Sequence, residues 1–294
     1  MTDATLTLTP ADAIREQGIA ISPLLKPLGA QPSQLRVHLN LIRQLSITTF
    51  RLKYSGSALG YVWSLIKPLL IFGMIYAVFA LFLIRGQTRG ENFAAELLLG
   101  IIVFTFFQEA TVNSLNAVVG NADMVRKAYF PRWILVIAST LSVTMTLIVN
   151  LALLFVVGSL LHWFNFGLHS LLFIPLVVEL CAVTIGLGLI LSSLFVSFRD
   201  LGHVWEVVIQ AMLFGSAIIF PFYLIPAKYQ TIVALNPIAQ IVADMRRALI
   251  SQTGPWSVDV LGRLEIVPLA LAVLSLVGGA LIFRRLSRRF GERI

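Results

Sequence analysis

Two acidic residues, Glu109 and Glu179, stand inside long apolar stretches of the sequence. A carboxyl group is costly in such surroundings, so each is a candidate for function, and its simplest chemistry is the binding and release of a proton. The alternative is a protonated or hydrogen-bonded carboxyl group that packs one helix against another. The apolar stretches offer neither residue an obvious basic partner, and the sequence therefore favours packing.

No other set of side chains has the spacing of a catalytic site. The sequence has no HExxH pair, no Gly-rich phosphate loop ending in Gly-Lys-Ser or Gly-Lys-Thr, and a single cysteine, Cys181. The four histidines lie in different segments: His38, His162, His169 and His203. We therefore expect a protein that is not an enzyme, holds no metal or cofactor of its own and depends on a separate subunit for any use of ATP.

The composition indicates the class of protein. Hydrophobic residues make up 58% of the 294 residues, charged residues only 12%, and the mean hydropathy is +0.89. These values are typical of an all-α protein that crosses a membrane several times. The net charge of +8 could suggest nucleic acid, but the basic residues are scattered among apolar runs, so we expect no nucleic-acid partner.

Six apolar stretches are candidates for membrane-spanning helices. They cover residues 61–84, 93–115, 133–160, 168–195, 204–220 and 265–283. Six crossings place both termini on one side, and that side carries most of the 22 lysines and arginines, which predicts cytosolic termini. The opposite loops carry the remainder: Arg85, Arg89, Lys228, Arg246, Arg247 and Arg263.

The sequence divides into four parts around these crossings. We predict a flexible cytosolic tail at residues 1–32, an amphipathic interfacial helix at 33–54, a six-span membrane domain at 55–283 and a basic cytosolic tail at 284–294. The fifth crossing is short, and the apolar segment after it is broken by Pro221 and Pro237. This pattern predicts short re-entrant or interfacial helices between crossings five and six, lining a pathway rather than facing lipid.

The junction at residues 50–68 combines basic residues with a segment rich in serine and glycine. Arg51 and Lys53 would lie among anionic lipid headgroups, and Tyr61 is a residue that prefers the membrane interface. One interpretation is that the two basic residues contact the charged headgroup of a substrate. The other is a simple membrane anchor.

Two short cytosolic loops could contact a partner protein. Residues 121–132 carry mixed charges, aromatic residues and a proline, which suits either docking into a groove or a solvated loop with positive-inside charges. In the second loop, Arg199 and Asp200 could cap adjoining helix ends or touch a partner. The aromatic residues of the crossings and the outer break face lipid or offer flat apolar surfaces to sugar rings.

Four motifs give the chain a resemblance to a known family. They are RLKYSGSALGYVW at residues 51–63 followed by Lys67 and Pro68, VRKAYFPR at 125–132, FRD at 198–200, and Asn236-Pro237 followed by Arg246. In this order, and between these crossings, the motifs resemble those of the permease subunits of ABC-2 type exporters of polysaccharides, a family that covers O-antigen, capsule, galactan and teichoic acid. The resemblance runs from about residue 41 to the carboxyl end.

The resemblance implies a homodimer in the bacterial cytoplasmic (inner) membrane, with a channel between the two copies. It also implies two copies of a separate ATPase that binds Mg-ATP, and a substrate in which a glycan is linked to a polyprenyl diphosphate. By position, the cytosolic gate would include Arg51, Lys53, Tyr54, Ser57, Leu59, Gly60 and Tyr61. The surface for the ATPase would include Asp123, Arg126, Lys127, Tyr129, Phe130, Arg199 and Asp200. The channel or outer gate would include Phe104, Phe107, Phe220, Phe222, Tyr223 and Asn236.

The chain departs from the family pattern at Trp133 and Val136, where an acidic residue and a proline are usual, and at Ser216-Ala217, where Ser-Pro is usual. These positions bear on which polymer is carried and on the ATPase contact. Two alternatives stay open from the sequence. One is an ABC-2 exporter of drugs or small lipids, and the other is a proton-coupled secondary carrier that uses Glu109 or Glu179.

Overall fold

The computed structural model describes residues 34–54, 60–79, 92–127, 131–219, 225–250, 256–288 and 290. The chain divides into two compact units, residues 1–39 and 40–294. Of the first unit, only the helical residues 34–39 are described. The contacts and cavities discussed below are formed by residues of the second unit.

The described residues form helices and turns, with no strand among them. The helices are α1 (Gln34–Tyr54), α2 (Trp63–Val78), α3 (Phe93–Asn116), α4 (Ala122–Lys127), α5 (Trp133–Leu160), α6 (Phe173–Phe195), α7 (Leu201–Gly215), α8 (Ala227–Ala234), α9 (Pro237–Leu249), α10 (Ser257–Leu261) and α11 (Ile266–Ser287). Short 3-10 turns precede α2, α4, α6 and α11. The all-α prediction is confirmed.

Within the described residues, five helical stretches are long and apolar enough to cross a membrane. They match predicted crossings one to four and six: Gly60–Val78, Phe93–Asn116, Trp133–Leu160, Leu168–Phe195 and Ser257–Ser287. The fifth predicted crossing corresponds to α7, whose 15 residues extend ~22 Å, less than the ~30 Å of a hydrocarbon core. The short helices predicted after it are present as α8, α9 and α10, and their depth in the membrane stays a prediction.

Helix α3 is the centre of the packing. Most of its residues are buried, and it contacts α2, α5, α6, α7 and α9. Hydroxyl groups fix two of these contacts: Ser114 Oγ lies 2.9 Å from Thr140 Oγ1 on α5, and Trp205 Nε1 on α7 donates to Thr111 Oγ1 at 3.1 Å. Helix α2, in contrast, buries only Ser64 and Pro68.

A buried arginine explains why α7 ends where it does. Arg246 on α9 is 5% exposed and donates to the carbonyl oxygens of Glu96, Ala217 and Ile218 at 3.0, 2.8 and 2.7 Å. Ala217 has a φ of 52°, so the helix cannot continue through it. The helix therefore ends at Gly215, five residues before the predicted end at position 220.

Helices α6 and α11 form the most extensive helix pair of the described residues. At their crossing the backbones touch: a Cβ atom added to Gly279 would overlap the carbonyl oxygen of Gly186, and one added to Gly186 would overlap the backbone of Ser275. Such close approach is possible only for small residues, as in many membrane helix pairs. The two glycines therefore set the distance between these helices.

The start of α5 is tied to the end of α11. Arg132 donates to the carbonyl oxygen of Ser287, and its guanidinium carbon lies 5.9 Å from the centre of the Phe290 ring. A basic side chain at a helix carboxyl end satisfies carbonyl groups that have no partner within the helix. The last helix therefore runs to Ser287 and includes Arg284 and Arg285, which were predicted to begin the tail.

Candidate functional site

The largest cavity discussed here is a cleft of about 1070 Å³ between α1, α2, α3 and α5. One face of each helix contributes to its wall. Apolar side chains come mainly from α1 and α2, and polar side chains from α3 and α5. The polar and charged lining residues are Thr49, Lys53, Ser64, Lys67, Thr105, Glu109, Asn113, Asn116, Asn121, Ser139, Ser142, Thr146 and Asn150.

The polar residues of the cleft lie at helical spacing. On α3 they follow one another as Thr105, Glu109, Asn113 and Asn116, and on α5 as Ser139, Ser142, Thr146 and Asn150. Steps of three or four residues place side chains on one face of a helix. The sequence analysis did not single out these residues apart from Glu109, although their spacing was a readable signal within the apolar stretches.

The hydrogen bonds of these side chains explain how the helices carry them. Asn116 Nδ2 donates to the Val112 carbonyl at 3.1 Å, Ser142 Oγ to the Ser139 carbonyl at 2.7 Å, and Asn150 Nδ2 to the Thr146 carbonyl at 3.0 Å. The atoms Thr146 Oγ1 and Asn150 Oδ1 are buried without a partner among the described residues. The cleft therefore holds polar atoms that can accept hydrogen bonds from water or a ligand.

Glu109 has a basic partner in the cleft, contrary to the interpretation from the sequence. Lys53 Nζ of α1 donates to Glu109 Oε1 of α3. The two side chains are 34% and 20% exposed, so the pair lies at the opening of the cleft rather than in the core. The pair could not be predicted from the sequence, because Lys53 precedes the first apolar stretch. Only the packing of α1 brings Lys53 to Glu109 on α3.

We expect the Lys53–Glu109 pair to contribute about 1 kcal/mol to the free energy of unfolding, as partly exposed ion pairs do. Glu109→Lys should lower the apparent melting temperature in detergent because two like charges then face each other. Adding Lys53→Glu should restore most of the loss. Additive effects of the two substitutions would show that the side chains do not interact, and Glu206→Lys on exposed α7 is the control.

The remaining gate candidates lie near this ion pair in sequence. Arg51 is exposed on α1, and Tyr61 is half-exposed with its ring centre 5.2 Å from that of Phe50. Gly60 has a φ of 47°, a conformation that favours glycine, and therefore allows the turn that starts α2. Ser57 and Leu59 lie outside the described residues, and of Tyr54 only the backbone is described.

The predicted partner surface is partly described. Asp123 is exposed on α4, a helix of six residues, and Arg199 and Asp200 are exposed in the turn between α6 and α7. Asp200 occupies the N-cap position of α7, but its side chain makes no capping hydrogen bond. Arg199 lies 5.5 Å from the centre of the Phe195 ring. Tyr129 and Phe130 lie outside the described residues, as do the side chains of Arg126 and Lys127.

Two predicted channel residues are part of the core. Phe104 and Phe107 are 4% and 0% exposed, and the Phe107 ring centre lies 6.4 Å from that of Trp205. Both rings pack among the helices that contact α3, and neither lines the cleft, so their place at a channel stays a prediction. Three further aromatic candidates, Phe220, Phe222 and Tyr223, lie outside the described residues.

Asn236 has a local structural role. Its Oδ1 accepts from the backbone N–H of Ile238 at 3.0 Å, which caps α9. Its Nδ2 donates to Ser216 Oγ at 2.9 Å and so links α9 to the turn after α7. Glu179, the second acidic residue of the apolar stretches, does not line the cleft but a separate cavity described below.

The comparisons with known proteins identify the family of this chain. The sequence profile of the family described as ABC-2 type transporter matches residues 40–250. The chain belongs to the ABC-2 transporter family. The match covers the cleft, the partner-surface candidates and α9 with Arg246. Together with its apolar helices, membership of this family makes the chain a multi-pass membrane protein.

Curated relatives of this ABC-2 family chain are similar over most of their length. The O-antigen export system permease protein RfbA of Klebsiella pneumoniae is 29% identical over 247 residues, 82% of this chain and 90% of the relative. The polysialic acid transport protein KpsM of Escherichia coli is 24% identical over 71% of this chain and 80% of its own. The capsule polysaccharide export inner-membrane protein CtrC of Neisseria meningitidis is 23% identical over 82% of this chain and 92% of its own length.

Proposed function

We propose that this chain is the permease subunit of an ATP-driven exporter that moves a lipid-linked polysaccharide across the bacterial cytoplasmic membrane. The main observation behind this proposal is the cleft, which holds two rows of polar side chains on membrane-spanning helices. A hydrophilic polymer needs polar partners where the bilayer offers none. The substrate class comes from the named relatives, which export O-antigen and capsule polysaccharides.

A homodimer would complete the transport path. The cleft is open on one side, and the α2 residues that border it are mostly exposed. A second copy placed against this opening would convert two clefts into one enclosed channel. Cyclic twofold pairing of identical subunits is the commonest oligomer, which supports this arrangement.

Six crossings with cytosolic termini fit the packing of α7. Its residue Trp205 contacts Thr111 of α3, and the turn after α7 contacts Glu96 through Arg246. Helix α7 therefore runs beside α3 for most of the length of α3, in the opposite direction. We propose that α7 and the residues after it make the fifth crossing, which leaves the end of α11 beside the start of α5 on the cytosolic side.

The proposed energy source is a pair of separate ATPase subunits that bind Mg-ATP on this cytosolic side. Asp123, Arg199 and Asp200 are exposed on short connections at that end of the helices and are proposed contacts. The positions 126, 127, 129 and 130 would belong to the same surface. The proposal needs no nucleotide site in this chain.

The basic residues near the cleft opening are proposed contacts for the diphosphate of the lipid carrier. Lys53 and Lys67 line the cleft, and Arg51 is exposed close to Lys53 on α1. Contact between Lys53 and a diphosphate requires the Lys53–Glu109 pair to separate, and the stronger charge of the ligand favours this exchange. The loop with Ser57, Leu59 and Gly60 would open and close this entrance.

The test is export in proteoliposomes that contain this chain and an ATPase that co-purifies with it. Asn113→Leu together with Asn150→Leu should reduce ATP-dependent export of a polyprenyl-diphosphate-linked glycan about tenfold or more. The protein should stay folded, because Asn150 donates only within its own helix. Asn165→Leu, in the exposed loop after α5, is the matched control.

Several outcomes would overturn parts of the proposal. Unchanged export by the double variant would exclude the cleft as the path. Failure of any ATPase to co-purify in mild detergent, with transport driven by a proton gradient alone, would favour the secondary carrier. ATP-dependent transport of a small amphiphile in place of the glycan would favour the exporter of drugs or small lipids.

A further inference from the structure

A second cavity, of about 630 Å³, lies between α6, α9 and the residues that lead into α11. We call it the acidic pocket and define it by its polar lining residues, Glu179, Gln240, Asp244 and Glu265. It shares no lining residue with the cleft. Its volume is that of a site for an organic group rather than for a bare ion.

The hydrogen bonds of the acidic pocket leave acceptors without donors. Asp244 is satisfied, because it accepts from Ser257 N at 2.8 Å, from Ser257 Oγ at 2.6 Å and from Gln240 Nε2 at 2.8 Å. Gln240 is 7% exposed, and its Oε1 is buried without a hydrogen-bond partner among the described residues. The same holds for Glu179 Oε1. A ligand that fits must therefore donate hydrogen bonds.

The charge of the acidic pocket favours a ligand that carries a positive charge in addition to hydrogen-bond donors. Three carboxylate side chains line it, and the described lining residues include no lysine or arginine. Low-dielectric walls increase the effect of this negative charge, which favours a cation. Among the described residues no group of three or more His, Cys, Asp or Glu is placed to hold a metal ion. The pocket volume of about 630 Å³ suits an organic cation.

The apolar side chains of the pocket indicate where the cation comes from. Leu172, Val258, Ile266 and Leu269 line it and are themselves 48%, 44%, 70% and 54% exposed. In a membrane-spanning protein, exposed apolar side chains of this kind contact lipid. Apolar walls also suit an acyl chain and not a polyhydroxylated sugar. The pocket therefore combines acidic side chains in its interior with an entrance lined by apolar side chains that contact lipid.

We propose that the acidic pocket binds the primary ammonium headgroup of a membrane phospholipid of the ethanolamine type. The three N–H donors of the ammonium group match Gln240 Oε1 and the carboxylates of Glu179 and Glu265. A choline headgroup has the same charge but no N–H donor. A glycerol headgroup has donors but no positive charge. The pocket should therefore distinguish the three lipids.

The test uses the full-length chain in nanodiscs and in detergent with added lipid. Native mass spectrometry should show phosphatidylethanolamine bound about tenfold more tightly than phosphatidylcholine or phosphatidylglycerol of the same acyl chains. Glu179→Gln with Glu265→Gln should remove this preference. Glu206→Gln, which alters an exposed carboxylate on α7, should leave it unchanged. If the double variant does not fold, Glu265→Gln alone should reduce the preference.

Equal binding of the three lipids by the wild-type chain would overturn the proposal, and so would a double variant that keeps the preference. Displacement of the lipid by millimolar Mg²⁺ or Ca²⁺, with the metal bound in its place, would identify a cation site instead. The measurement needs neither the ATPase nor a polymer. Its failure would therefore leave the proposed export function standing, and a failure of export would leave the lipid site standing.

Discussion

Arg246→Met should lower the free energy of unfolding by about 4 kcal/mol or more, since three buried carbonyl groups lose a charged donor at once. Methionine fills a similar length without donating a hydrogen bond. The carbonyl groups belong to the start of α3 and to the turn after α7, so both elements should loosen together. The measurement is the apparent melting temperature and the monodisperse yield in detergent.

Two variants serve as controls for this prediction. Arg246→Lys keeps the charge but offers a single ammonium group in place of the planar guanidinium, so we expect it to recover only part of the loss. Arg263→Met changes an exposed arginine before α11 and should stay within about 0.5 kcal/mol of the wild type. Equal melting temperatures for Arg246→Met and Arg263→Met would contradict the role assigned to Arg246.

Gly279→Ala should destabilise the chain by about 3 kcal/mol, because a methyl group at this position overlaps the carbonyl oxygen of Gly186. Backbone atoms cannot move aside as a flexible side chain can, so α6 and α11 must separate along their whole contact. We expect the apparent melting temperature in detergent to fall by roughly 6–12 °C.

The neighbouring residue provides the matched control for this prediction. A Cβ atom added to Gly278 meets nothing within 4 Å among the described residues. Gly278→Ala should therefore be neutral or slightly stabilising, because alanine is the better helix former. If both alanine variants melt alike, the close crossing of α6 and α11 does not determine stability.

The membrane helices could be predicted from the sequence because apolar length is a local property. Four of the five apolar stretches that match observed helices begin within one residue of the predicted positions, and the fifth begins at Ser257, eight residues before the predicted position 265. The predicted end of α7, at position 220, was wrong because the end of the helix depends on a residue far away along the chain. The carbonyl groups of Ala217 and Ile218, in the turn after α7, accept hydrogen bonds from Arg246, which lies 31 residues beyond Gly215 and belongs to another helix.

The candidate site was predicted only in part. Lys53 and Glu109 were each singled out, one as a headgroup contact and one as a costly carboxylate, but their pairing was not foreseen. Phe104 and Phe107 were predicted to belong to a channel or outer gate, and the structure buries both rings on the face of α3 that packs against other helices. Composition identifies such residues, whereas the position of a helix within the packing determines what they face.

The sequence by itself determined the class of protein, the order of its helices and its membership of the ABC-2 family. These properties depend on apolar length, charge distribution and motif order, all of which can be read along the chain. Only the tertiary structure decided that Lys53 meets Glu109, that two polar rows face one cleft and that Glu179 joins Asp244 and Glu265 in a second pocket. The physical reason is that a helix has several faces, and packing against neighbours selects the face that each one buries.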